Sequence, residues 1–354
     1  MEFNEIQYKK PAYPLKAHIR EHLRQYSRLE TLPISYDELL HFEETVPNYY
    51  DDGKNTLWFS AIYNQFETEN LNRSLIQVYE KLINDGDPIP HLSIARVDFC
   101  SFGNSKPFRV KVRNEINDNY NYFYVKRADA SRVYGLELEE IFSPDKVNYL
   151  VHEQTLIEEH VVGVPVDAFI LENKEVEIDN RLRFAKEFVK FNERSFVRLL
   201  GDMRSYNFVV EITRDFDNVQ YRLRAMDFDQ QSYEGRINLY KPQFYKDNLE
   251  LVKLVQELMT HDVALQYQKM ERVAMKRRYM ASRRRTQSLL RHMIKDKLTI
   301  PENLERMKLD LADYHKDQRF LAVNSVGAIL NLHLERMLNI QILSKPIEKE
   351  ARVF

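Results

Sequence analysis

The chain has 354 residues, with 52 Lys and Arg against 54 Asp and Glu and a formal net charge of -2, so no global field calls for nucleic acid or membrane. Hydrophobic residues make up 44% and aromatic residues 12%, a composition for a folded core rather than a disordered chain. The single cysteine, Cys100, excludes an intramolecular disulfide and a cysteine metal cluster. No run of about eighteen apolar residues occurs, and MEFNEIQYKK carries no apolar signal core, so a cytoplasmic protein with no membrane association is expected.

Residues 1–88 are predicted to be mainly helical. Leu15 to Leu29 is charged and amphipathic, Ser35 and Glu38 form a capping-box-like start, and Thr56 to Ile83 places Trp58, Ile62, Phe66, Leu75, Val78 and Leu82 on a helical period. The segment Asn84 to Pro90, NDGDPIP, breaks that pattern and predicts a domain boundary. From His91 the alternation changes to that of strands. Ile94 to Ser101, Phe108 to Val112 and Tyr120 to Val125, followed by Lys126, predict three antiparallel strands joined by two turns, the first of them Phe102 to Pro107. A short helix follows over Arg132 to Ile141, behind Ser131 as its cap, and then a strand pair, Val147 to Val151 and Thr155 to Val162, closed by Gly163-Val-Pro165.

Further on, Ile178 to Arg194 has helical apolar spacing. It delivers the chain to the loop Gly201 to Asn207, GDMRSYN. A hairpin comes next: apolar Phe208 to Ile212, a polar turn at Arg214 to Asn218, and alternating Tyr221, Leu223 and Ala225. The hairpin returns the chain to its start, so Asp202 and Asn207 meet Asp227 and Asp229. Carboxylates and an amide oxygen are the hard ligands that Mg²⁺ takes together with phosphate oxygens, and a metal-phosphate site is the expectation. Helices resume after Pro242, with a basic stretch from Lys276 to Lys297 that suits either a solvated face or an acidic partner such as nucleic acid. Leu304 to Tyr314 and Phe320 to Leu343 are predicted as the closing helices, and the last residues as frayed.

These motifs carry a resemblance. Asp202-Met-Arg-Ser-Tyr-Asn207 has the D-x-x-x-x-N spacing of the protein-kinase catalytic loop, and Asp227-Phe-Asp229 resembles the DFG motif with its glycine replaced. Leu200-Gly201 before the aspartate is similar to the H-G-D form of aminoglycoside-phosphotransferase-like kinases, with the histidine replaced by Leu200. The resemblance implies an α+β, two-lobed protein kinase-like fold: a helical extension over 1–88, an antiparallel-sheet N-lobe over 89–163, a helical C-lobe over 164–344 and a tail over 345–354.

It also implies an activity, the ATP- and Mg-dependent transfer of phosphate to a hydroxyl of a protein or small molecule. By the same resemblance Asp202 is the catalytic carboxylate, Arg204 stands in for the catalytic-loop lysine, and Asn207 and Asp227, or Asp229, hold the metal. Gly103, Asn104 and Ser105 then form the loop over the phosphates, Lys126 is the lysine that grips them, Glu137 or Glu140 is that lysine's partner, and Glu159 to Val162, with Val161, line the adenine pocket. A nucleotide-binding pseudokinase, transfer of AMP, and nucleic-acid binding through 276–297 are the alternatives.

Overall fold

The computed structural model describes residues 10–343 except 51–52, 103–104, 173–177 and 216–217. These residues form an α+β protein of two compact units, one running to Ala130 and including Val147–His160, the other holding Ser131–Lys146 and everything from Val161 onward.

The first unit opens with α1 (Ala17–Gln25), which buries Ile19 and Leu23, and α2 (Tyr36–Leu39), whose capping box forms as expected between Ser35 and Glu38. An antiparallel pair follows, β1 (Glu44–Tyr49) and β2 (Asn55–Ile62). This overturns the helix expected from Thr56. The helix α3 (Gln65–Asn84) begins nine residues later, after Asn64, whose side chain accepts from the Phe66 amide at 3.0 Å. The apolar spacing of Trp58 and Ile62 fitted a helix by accident, while their aromatic and β-branched neighbours favour a pleated strand. Phe66, expected on the buried face, is 91% exposed, and the buried residues of α3 are Leu75, Val78, Tyr79 and Leu82.

The strands β3 (Leu92–Phe99), β4 (Phe108–Asn114) and β5 (Tyr120–Arg127) form as the alternation predicts, and β6 (Tyr149–His152) and β7 (Thr155–Glu159) follow. Among the described residues they make one antiparallel sheet in the order β1-β2-β3-β4-β5-β7-β6. Phe108, Val110, Val112, Phe123, Val125 and Ile157 turn one sheet face toward Leu75, Val78 and Leu82 of α3, a period-2 pattern meeting a helical stripe. Because β2 pairs with β3, residues 1–88 supply strands of this sheet rather than a separate extension. The expected boundary at 84–90 is the end of α3, where Asp85 and Gly86 both have positive φ and turn the chain into β3.

The second unit contains α4 (Ala130–Phe142), apart from its first residue, then β8 (Val164–Pro165), α5 (Val166–Glu172), α6 (Ile178–Arg198), β9 (Phe208–Asp215) and β10 (Asn218–Ala225). It ends in α7 (Leu249–Leu258), α8 (His261–Ala281), α9 (Arg283–Ile294), α10 (Pro301–His315) and α11 (Val326–Leu338). The helix expected from Phe320 starts instead at Val326, where the Ser325 side chain accepts from the Ala328 amide and caps it. β10, β9 and β8 form a small antiparallel sheet, and Phe191 of α6 stacks on Phe208 with ring centroids 4.5 Å apart. Among the described residues no helix is long and apolar enough to cross a membrane.

A relay of two imidazoles ties α6 to the C-terminal helices. His333 Nε2 donates to the Phe196 carbonyl at 3.0 Å, so its Nδ1 accepts from His315 Nε2 at 2.8 Å. Donating at Nε2 while accepting at Nδ1 requires the His333 ring to be neutral. Burial lowers the His315 pKa to about 4, assisted by Arg336, and burial with the His315 neighbour lowers that of His333 to about 3. The folded protein therefore refuses protons that the unfolded chain takes up below about pH 6.5. Stability is expected to fall as pH drops from 6.5 toward 4, by up to about 1.4 kcal/mol per pH unit for the buried His333 and by less for the half-buried His315. Urea midpoints across that range in wild type and His315→Gln test this, since the variant is expected to show a shallower decline.

Candidate functional site

The β9–β10 hairpin is in register from Asp215↔Asn218 down to Phe208↔Ala225. Its two free ends are therefore Asn207 and Met226, and the Met226 amide donates to the Asn207 carbonyl at 3.1 Å. The loop before the hairpin is joined to the segment after it a second time. The Gly201 amide donates to the Gln230 carbonyl at 3.3 Å, Leu200 bridges Gln231, and the Ser232 amide donates to the Leu199 carbonyl at 2.8 Å. The loop that carries Asp202, Arg204 and Asn207 is thus joined at both ends to the segment that carries Asp227 and Asp229, within one unit.

Asp202 sits in the left-handed region, at φ 55°, a conformation that aspartate tolerates better than most residues. Three contacts hold it there. Its amide donates to the Tyr245 hydroxyl at 2.9 Å, its carbonyl accepts from Asn207 Nδ2 at 2.7 Å, and its carboxylate accepts from Arg204 Nε at 2.9 Å. Tyr245 is fixed in turn by donating to the Leu239 carbonyl at 2.6 Å, and Asn248 Nδ2 reaches the Met203 carbonyl at 2.8 Å. The segment after the hairpin therefore shapes the loop before it. Arg204 also reaches Asp247 Oδ2 at 3.2 Å, and its side chain remains 39% exposed, available to an anion. Burial pushes the Tyr245 phenol well above its ordinary value, so it stays protonated and neutral beside Asp202.

The carboxylates of Asp227 and Asp229 share a partner that sequence reasoning missed. Arg132 Nη1, from the first turn of α4, donates to Asp227 Oδ1 at 2.8 Å and to Asp229 Oδ1 at 2.9 Å, and Nη2 lies 3.3 Å from the Met226 carbonyl. Arg132 is 2% exposed. The only local signal was Gly135, one turn later. A Cβ at that position would lie 2.9 Å from Phe228 Cβ and 3.3 Å from Gln231 Cβ, so the glycine is what allows α4 to lie against this segment. Nothing in the sequence alone links it to residues some ninety positions away.

The metal expected on Asn207, Asp227 and Asp229 has donors of suitable chemistry, hard oxygens on adjoining strand ends. It does not fit the arrangement, because a guanidinium already lies between the two carboxylates. Among the described residues no group of three or more His, Cys, Asp and Glu is arranged to hold a metal ion.

The expected partner of Lys126 is corrected as well. Lys126 Nζ bonds Glu158 Oε2 at 2.5 Å, both side chains being buried. Lys126 opposes Leu156 across β5 and β7, so Glu158, two residues on, projects from the same face as its diagonal neighbour. Glu137, the helix glutamate expected there, is taken at both oxygens by Arg285, at 2.6 and 2.9 Å, and Glu140 meets the same guanidinium at 3.4 Å. α4 is further fastened within its unit by Glu139 to Arg198 and by the Tyr134 hydroxyl to Asp296 Oδ2 at 2.7 Å.

Of the remaining candidates, Gly103 and Asn104 lie outside the described residues, and Ser105 is half-buried on the turn after them. Glu159 ends β7 and accepts from Asn148 Nδ2 at 2.9 Å, while Val161 is buried at the start of the second unit. The basic stretch 276–297 is partly structural. Arg285 serves α4, Arg278 Nη1 caps the Phe142 carbonyl at 3.0 Å, and Lys276 Nζ bonds the Asn339 carbonyl at 3.0 Å. That leaves a thinner basic surface than the sequence implied.

No protein-family model and no curated protein matches the chain. Among solved structures, "Complete CtTel1 dimer with C2 symmetry" aligns with a TM-score of 0.38 and 11% identity, over 91% of this chain and 15% of that one.

Proposed function

We propose that the chain is a phosphotransferase with a two-lobed, protein kinase-like fold, which takes Mg·ATP as donor and passes its terminal phosphoryl group to a hydroxyl. The observation that supports this reading best is the double closure of the Asp202–Asn207 loop onto residues 226–231, which gathers an acid, a partly exposed guanidinium and an amide in one unit. Asp202 accepts the proton of the acceptor hydroxyl as its oxygen bonds to phosphorus, and the bond to the bridging oxygen breaks to release ADP. Arg204 neutralises the transferred group. Catalysis of this kind rests on position and electrostatics and needs no covalent nucleophile on the protein. Lys126, paired with Glu158 in its own unit, contributes to nucleotide binding in this reading, and the cytoplasm is the compartment it assigns.

The acceptor is a protein or small-molecule hydroxyl. A second reading, a nucleotide-binding scaffold without transfer, is favoured by one observation: Arg204 engages the Asp202 carboxylate directly at 2.9 Å and competes with a substrate hydroxyl for it. Both readings predict that Mg·ATP stabilises the native chain by mass action, by about 2.7 kcal/mol at a hundred times the Kd. A thermal scan with and without Mg·ATP measures this, and an unchanged Tm at millimolar nucleotide would remove both readings.

A further inference from the structure

We infer that Arg132 is the resident cation of the Asp227–Asp229 carboxylate pair, standing where kinase-like sites hold a divalent metal, so that the native chain takes no divalent ion at these two carboxylates. The inference deepens the phosphotransferase reading by assigning what neutralises its acidic pair.

Two adjacent carboxylates repel each other when both are ionised, and a positive charge beside them relieves that repulsion. The structure supplies it from Arg132, whose Nη1 lies within hydrogen-bond distance of one oxygen of each. The guanidinium is not a surface side chain that happens to lean in. Its side chain is 3% exposed, its other amino group reaches the Met226 carbonyl, and its carbon lies 6.0 Å from the centre of the Phe228 ring. Gly135 brings the helix that carries it into contact with the same Phe228. A magnesium ion needs oxygen ligands at about 2.0–2.1 Å, and between these carboxylates that space is filled by nitrogen. Displacing the guanidinium would strand a buried charge without its partners, a strongly unfavourable state. Because it is tethered, it also competes at an effective concentration that a free ion does not reach.

The donor set beneath the guanidinium is still one for a hard cation: Asp227, Asp229 and, at the adjoining strand end, Asn207. Removing the charge without removing the carboxylates therefore uncovers a divalent-cation site. The test uses Mn²⁺ alone as probe, without nucleotide, on the full chain, with free Mn²⁺ followed by electron paramagnetic resonance in wild type, Asp227→Asn, Arg132→Gln and Arg132→Gln with Asp227→Asn.

The expected result is equal Mn²⁺ binding by wild type and Asp227→Asn. Arg132→Gln then gains one Mn²⁺ per chain, which the double variant loses. A Mn²⁺ site in wild type that disappears in Asp227→Asn overturns the inference, and so does a folded Arg132→Gln that gains none. Should Arg132→Gln fail to fold, the comparison of wild type with Asp227→Asn decides alone. No arm contains ATP, so these outcomes are separate from those of the Mg·ATP scan, which tests the underlying reading.

Discussion

Asp202→Asn is expected to lower the turnover number for ADP formation by roughly a hundredfold to ten-thousandfold, the range associated with loss of a positioned acid or base, while leaving ATP affinity within a few fold. The substitution suits the geometry. Asparagine is also at home in the left-handed region that position 202 occupies at φ 55°, and its amide oxygen still accepts from Arg204 Nε, now 2.9 Å from the Asp202 carboxylate. The backbone bonds to Tyr245 and Asn207 do not involve the side chain. What is lost is the negative charge and the ability to take a proton, so kcat falls and the binding term does not. A variant as active as wild type would remove Asp202 from the mechanism. Equal thermal midpoints for the two proteins establish that the loss is chemical rather than structural.

Gly327→Ala is expected to destabilise the second unit by about 3 kcal/mol or more, at or beyond the upper end of ordinary overpacking. The Cβ it introduces would lie 2.4 Å from the Ile294 amide nitrogen and 2.5 and 2.7 Å from the Met293 carbonyl carbon and oxygen. These are backbone atoms at the end of α9, which cannot swing aside as a side chain can. The start of α11 lies against the end of α9 at this glycine. Chemical denaturation resolves a change of this size. The comparison with Gly135→Ala is informative, because there the obstacles are the side-chain atoms of Phe228 and Gln231 at 2.9 and 3.3 Å. That change is expected to cost less stability and to act on the position of Arg132.

The parts of this molecule visible in its sequence are those with a strong local period. Phe108-x-Val110-x-Val112 alternates so regularly that β4 could be little else, and Phe208–Ala225 declared a hairpin whose observed register joins Asn207 to Met226. The site followed from that closure. What was misread had two local solutions: Trp58 and Ile62 fit a helical period, yet pairing with β3 makes their segment a strand. What was missed depends on long-range packing. Lys126 takes Glu158 because β5 and β7 pair in a given register, and α4 offers Glu137 to Arg285 because it is fastened to its own unit by Arg198, Arg285 and Asp296. Arg132 was unreadable for the same reason. An arginine in the first turn of a helix normally faces solvent, whereas here the missing Cβ at Gly135 lets α4 lie close to Phe228 and Gln231, and Arg132 reaches Asp227 and Asp229.

The most direct measurement of the central claim is the rate of ADP formation from Mg·ATP by the purified wild-type chain, followed beside Asp202→Asn. Transfer to water or to an endogenous hydroxyl should give a slow rate in wild type that is nearly lost in the variant. ADP formed equally by both proteins, or by neither, would contradict the assignment of Asp202 and of phosphoryl transfer to this site.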